Sequence, residues 1–145
     1  MIKDEIKIII PSRSANESYA RVAVGAFAAR FDPTIEELND IKTAVSEAVT
    51  NCIVHAYKDS IGKIYITVSA DGENLKVRIR DYGCGIPDVD KAMEPLYTTG
   101  GDERAGLGFA VMESFMDKLK VRSTVGKGTT VNMVKKLKSK NDRKQ

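Results

Sequence analysis

The hydrophobic and polar positions of this 145-residue chain change period several times, and each change marks an element. Ile6, Ile8 and Ile10 alternate with Glu5, Lys7 and Ile9 as far as Pro11, the period of a strand. Ser14 and Glu17 have capping-box spacing, and Val22, Ala26 and Phe27 follow at helical intervals, so a first helix is predicted to about Phe31. Thr34 and Glu37 form a second such box behind Pro33, and Ile41, Val45, Ala48 and Cys52 carry a second helix to about Tyr57. Past Ile61-Gly62 the period returns to two: Ile64, Ile66 and Val68 on one face, a hairpin turn at 71–74, then Leu75, Val77 and Ile79 leading to Asp81. Residues 94–105 show no period and read as a mobile loop. Gly106-Leu-Gly108 opens a third helix with Val111, Met112, Phe115 and Met116 on its buried side, and a closing hairpin turns at 126–128. The order βαα, ββ, α, ββ predicts an α+β fold: a two-layer sandwich of a mostly antiparallel mixed sheet with its helices on one face.

Composition narrows the classes. Residues 1–137 suffice for one domain, with 138–145 as a basic, frayed tail. Hydrophobic residues at 42% and charged residues at 30% exclude fibrous and disordered classes. The net charge of +3 owes itself to the last eleven residues, whose six cations and one acid leave a body at −2; no nucleic-acid partner is expected. Acids among the first residues and only three consecutive isoleucines argue against a signal peptide or membrane span, and two cysteines without metal spacing read as reduced thiols of a cytoplasmic protein.

The candidate chemistry begins at 46–57, S-E-A-V-T-N-C-I-V-H-A-Y, where Glu47, Asn51 and His55 stand four apart and so share one stripe of a helix. Such a stripe is either a solvated edge or a site. Two glycine pairs follow, Gly83/Gly85 and Gly106/Gly108; the second leads into a helix whose N–H groups would favour a phosphate, with Arg104 nearby. Neither the P-loop pattern nor the dinucleotide fingerprint is present.

Taken together, Glu47 with Asn51, Asp81-x-Gly83-x-Gly85, Gly106-x-Gly108 and Gly128-Thr129-Thr130 resemble, in order and over most of the chain, the GHKL ATPase/kinase superfamily. N-E-S-Y-A-R from Asn16, S-E-A-V-T-N from Ser46 and P-L-Y-T-T from Pro95 are similar to its serine-kinase anti-sigma branch, most of all the factors directed at sporulation sigma F. The resemblance implies ATP and Mg²⁺, with Asn51 as the metal ligand and Glu47 as the general base for an attacking serine. It implies Asp81 as acceptor of the adenine amine, Gly83 and Gly85 beneath the base, Thr130 helping to hold adenine, and Gly106 and Gly108 around the phosphates. It places Arg104 near the γ-phosphate, Thr98 and Thr99 in a lid, and Arg21 on a surface that meets sigma factor and an anti-anti-sigma substrate. A homodimer is expected too. His55, the sole histidine, is left with a supporting role. Three other readings stay open: a nucleotide-gated sigma-binding module with little catalysis, a simple ATPase, and a general-stress anti-sigma kinase.

Overall fold

The computed structural model describes residues 4–94 and 103–138, with side chains throughout except at 103–105. Strands β1 (Asp4–Pro11), β2 (Lys63–Asp71), β3 (Asn74–Asp81), β4 (Lys118–Thr124) and β5 (Gly128–Lys136) form one sheet in the order β1-β2-β3-β5-β4. All four pairings are antiparallel, so the parallel component expected of a mixed sheet does not occur among the described residues. Helices α1 (Asn16–Ala29), α2 (Ile35–Asn51) and α4 (Glu103–Phe115) accompany it, with a short α3 (Val89–Ala92) that no sequence period announces.

Strand alternation decides which side is dry. Ile64, Ile66 and Val68 of β2 and Leu75, Val77 and Ile79 of β3 are no more than 1% exposed, as are Ile41, Val45 and Val49 of α2. Each such side chain contributes about 1.5–3 kcal/mol on burial. The hairpin turn predicted at 71–74 is present, with Gly72 at φ +63°, a conformation that glycine adopts without strain.

The Thr34–Glu37 capping box forms in both directions, at 2.8 and 3.0 Å, and the second oxygen of Glu37 accepts from the Lys138 N–H at 2.8 Å. The box read at Ser14 does not form. Helix α1 starts at Asn16, whose side chain bonds the Pro11 carbonyl, and Glu17 lies 3.8 Å from Arg21 instead. The long second helix is α-helical only to Asn51; Cys52–Ala56 is a π-helical turn, closed by the Tyr57 N–H on the Cys52 carbonyl. Helix α4 begins three residues before Gly106; Phe109 and Met112 are its buried large side chains, Met116 just past its end is buried too, and Phe115 is 38% exposed. Most of the loop read at 94–105 lies outside the described residues, as do residues 139–145 of the tail.

Candidate functional site

At the end of the sheet where β3 stops and β5 starts, a cavity of about 710 Å³ opens between the strand ends, the π-turn and α3. Asn51, Cys52, His55, Asp81, Phe109 and Thr129 are among its walls. That volume lies within the range of small-ligand sites, about 300–1,000 Å³.

Asp81, the last residue of β3, is 3% exposed. Its Oδ1 accepts from the N–H groups of Gly83 at 2.9 Å and Thr129 at 3.2 Å. Its Oδ2 accepts from the Cys52 thiol at 3.5 Å. Burial raises the Asp81 pKa above the ordinary 3.8, while hydrogen bonds from Gly83, Cys52 and Thr129 pull it back. Burial, and then the charge of Asp81, pushes Cys52 well above the usual thiol value. Cys52 is therefore a neutral donor at pH 7, and the carboxyl of Asp81 is oriented by two backbone amides on one oxygen and by that thiol on the other.

The loop beyond Asp81 is clamped from both sides. The Cys84 N–H donates to the Ala56 carbonyl at 3.1 Å, and the Cys84 carbonyl accepts from Gly126 at 2.8 Å. A Cβ on Gly83 would collide with the Ala56 carbonyl and one on Gly85, at φ +77°, with the Thr124 carbonyl. These glycines permit close backbone approach that holds the wall of the cavity in place. Tyr57 ties the same region to β2: its hydroxyl accepts from the Tyr82 N–H at 2.6 Å and donates to the Lys63 carbonyl at 2.7 Å.

Helix α4 brings Gly108 against the other functional pair. A Cβ there would lie 3.1 Å from Asn51 Oδ1 and 3.2 Å from Glu47 Oε2, so both side chains converge on one glycine. Nδ2 of Asn51 is buried without a hydrogen-bond partner in the described structure. An orphaned amide in a cavity wall is costly unless something binds it. Gly106 passes close to the carbonyls of Glu94 and Ala92. Because α4 starts at Glu103, both glycines lie inside the helix rather than ahead of it.

Thr130 is misplaced by one residue for contact with the cavity. It pairs with Arg80, on the opposite face from Asp81, and its hydroxyl accepts from Arg80 at 2.7 Å. Thr129 pairs with Asp81 and lines the cavity; it shares the parity of Val131 and Met133, the signal that could have found it. Cys52 and Phe109 line the cavity too; in sequence Cys52 reads as core, and Phe109 stands one turn before Met112, the spacing that points to it. Arg21, on α1, is half-exposed beside Glu17, away from the cavity residues. Thr98, Thr99 and the side chain of Arg104 lie outside the described residues.

The family described as histidine kinase-like ATPase domain matches residues 10–135. A Thermoanaerobacter protein named anti-sigma F factor is 58% identical over 125 residues, 86% of this chain and 87% of its own. The anti-sigma F factor of Caldanaerobacter subterraneus is 58% identical over 132 residues, 90% and 91% of the two chains. That of Clostridium acetobutylicum is 49% identical over 138, 94% and 96%.

The chain belongs to the anti-sigma F factor family, within the histidine kinase-like ATPases.

Among solved structures, the RsbU and RsbW domains of a Mycobacterium tuberculosis protein share the fold at TM-score 0.69 and 19% identity, over 92% of this chain and 32% of that one. A blue-light activated histidine kinase of Erythrobacter litoralis matches at TM-score 0.61 and 25% identity, over 82% and 43%. As a histidine kinase-like ATPase domain, this anti-sigma F family member binds ATP. Its residues suit the ligand: a buried carboxyl acceptor at Asp81, an unpartnered buried amide at Asn51, and a glycine at 108 that lets α4 approach Asn51 and Glu47. No helix among the described residues is long and apolar enough to cross a membrane.

Proposed function

We propose that this anti-sigma F family member is an ATP-dependent protein serine kinase that holds a sigma factor, sporulation sigma F, and phosphorylates the serine of an anti-anti-sigma protein. The observation that carries this reading is the convergence of Glu47 and the orphaned Asn51 amide on Gly108. A purely nucleotide-gated module has no need for a carboxylate there. Asn51 would hold Mg²⁺ through its amide oxygen, and bound Mg-ATP would supply the phosphoryl group with its charge neutralised.

The chain's own residues have separable tasks. Asp81 accepts the adenine amine, and Cys52 and the two backbone amides keep its carboxylate turned toward the base. Glu47, one helical turn before Asn51, takes the proton of the attacking serine hydroxyl, a contribution of about 10²–10⁴-fold where a general base acts. Residues 98, 99 and 104 complete the phosphate side. The protein works as a homodimer, with Arg21 on the surface that meets sigma factor and substrate.

Incubation with Mg-ATP and the anti-anti-sigma protein should place one phosphate on one serine, read by mass spectrometry. Glu47→Ala should slow that transfer at least hundredfold while ATP still binds. Undiminished transfer by Glu47→Ala, or none by the wild type, would sink the catalytic assignment.

A further inference from the structure

Every second residue of β5 turns toward the helices, and Thr129, Val131 and Met133 keep that parity as buried side chains. The next position in the series is Lys135, paired with Leu75 of the core. A cation on the dry side of a strand is costly unless it is paired and hydrogen-bonded. Lys135 is both. Its Nζ lies 3.1 Å from Asp40 Oδ2 on α2, with the two side chains only 12% and 20% exposed, and it donates at 2.6 Å to the carbonyl of Phe115, the last residue of α4. The last turn of α4 has no basic residue of its own, so β5 supplies the cation that its carbonyl end lacks. Two further bonds close the junction: the Asp117 N–H donates to the Val134 carbonyl at 2.8 Å, and Asp117 Oδ2 accepts from the Lys136 N–H at 2.6 Å.

We propose that Lys135, held by Asp40, is a positioning residue that fixes the register of α4 on α2 and so where Gly108 stands against Glu47 and Asn51. Matched spacing carries the choice. Asp40 precedes Glu47 by seven residues and Phe115 follows Gly108 by seven, which is two turns or about 10.5 Å along each helix. The two helices run antiparallel and meet at two points an equal distance apart: Lys135 bridges one, and Gly108 meets Glu47 and Asn51 at the other.

The contact at Gly108 has no side chain on the α4 side and cannot hold the register by itself. Between the two points α4 buries Phe109 and Met112, and apolar packing of this kind, methionine above all, adapts to small shifts. A bond aimed at one carbonyl does not. A buried ion pair is weak evidence for stability, since apolar side chains of similar volume often serve as well, and setting register is the best-attested use of one. Where it concerns phosphoryl transfer the inference rests on the kinase reading; the register itself does not.

The test compares full-length wild type with Asp40→Ala/Lys135→Met, by hydrogen exchange with mass spectrometry and by initial rates with Mg-ATP and the anti-anti-sigma protein. Peptides covering 106–115 should exchange at least tenfold faster while those of β2 and β3 keep their protection. The kcat should fall at least threefold with the KM for ATP within twofold, because the Asp81 end of the cavity is untouched. Asp40→Asn, which keeps an oxygen within reach of Lys135, should retain α4 protection and at least half of the wild-type kcat. If the double variant is destabilised, Lys135→Gln serves, with at least threefold faster exchange of 106–115 expected. Unchanged exchange and kcat in a folded double variant would overturn the proposal. So would protection lost evenly from helices and sheet, the mark of a pair that only stabilises the fold. Absence of transfer by the wild type would strike the kinase reading instead, and the exchange of 106–115 would still decide the register.

Discussion

Gly108→Ala separates stability from chemistry in one substitution. The position is inside α4, where alanine is favoured over glycine by about 1 kcal/mol in helix propensity. The added Cβ would stand 3.1 to 3.3 Å from the polar atoms of Asn51 and Glu47, closer than the ordinary contact of about 3.5–4.0 Å. Restoring normal contact requires those side chains, or the helix, to shift by about 0.3–0.4 Å. A misplacement of about 1 Å can cost on the order of a hundredfold in rate, so on a logarithmic scale this shift costs about fivefold, or about 1 kcal/mol in the barrier. The expected outcome is a melting temperature equal to or a few degrees above wild type, by differential scanning fluorimetry, with initial phosphoryl-transfer rates about fivefold lower. A variant as fast as wild type would show that Glu47 and Asn51 do not stand at the reacting centre. A variant both slow and several degrees less stable would show that the helix cannot yield, and the rate would then say nothing about positioning.

Asp81→Asn should weaken ATP binding at least tenfold by isothermal titration with the circular dichroism spectrum intact, since an amide can keep its oxygen toward Gly83 and Thr129 only by turning a donor toward the adenine amine. Because burial raises the Asp81 pKa, the folded chain takes up this proton more readily than the unfolded one; its contribution to stability therefore grows as pH falls from above the folded pKa toward 3.8, while ATP affinity declines over the same window. A pH-independent ATP affinity from pH 7 down to 4 would refute its role as an ionised acceptor. Tyr57→Phe removes a hydroxyl that joins Tyr82 N–H to the Lys63 carbonyl, and should cost about 1 kcal/mol in urea unfolding and raise the KM for ATP more than it lowers kcat. Equal loss in every kinetic parameter would argue against its acting through the Asp81 loop. Thiol titration at pH 7 should give one fast cysteine, the exposed Cys84, and one slow, buried Cys52; Cys84→Ser should abolish the fast phase, and persistence of that phase would contradict the burial of Cys52.

Much of the fold is written in local patterns: the Thr34–Glu37 box, the alternation of β2 and β3 and the glycine at their turn all depend on neighbours in sequence. The π-turn at Cys52–Ala56 was not legible, because five residues are too few to show a widened turn; its closure depends on the Cys52 carbonyl reaching Tyr57 and on Ala56 receiving Cys84 from a distant loop. The start of α4 at Glu103 was hidden for a related reason. Its first turn has helix-forming residues but no apolar period to announce them.

The threonine pair shows where sequence order and chemistry part company. Thr129 and Thr130 are adjacent and chemically alike, yet pairing with Asp81 and Arg80 sends one to the cavity and the other to the opposite face. In a strand, a single step in register exchanges the two faces, so a motif aligned correctly in order can still name the wrong side chain. The same parity turns Lys135 toward the helices along with Val131 and Met133, where Asp40 and the Phe115 carbonyl meet it. One alternation thus carries both ends of the helix-facing side, the Asp81 site at one and the Lys135 anchor at the other, and no local motif reveals the second.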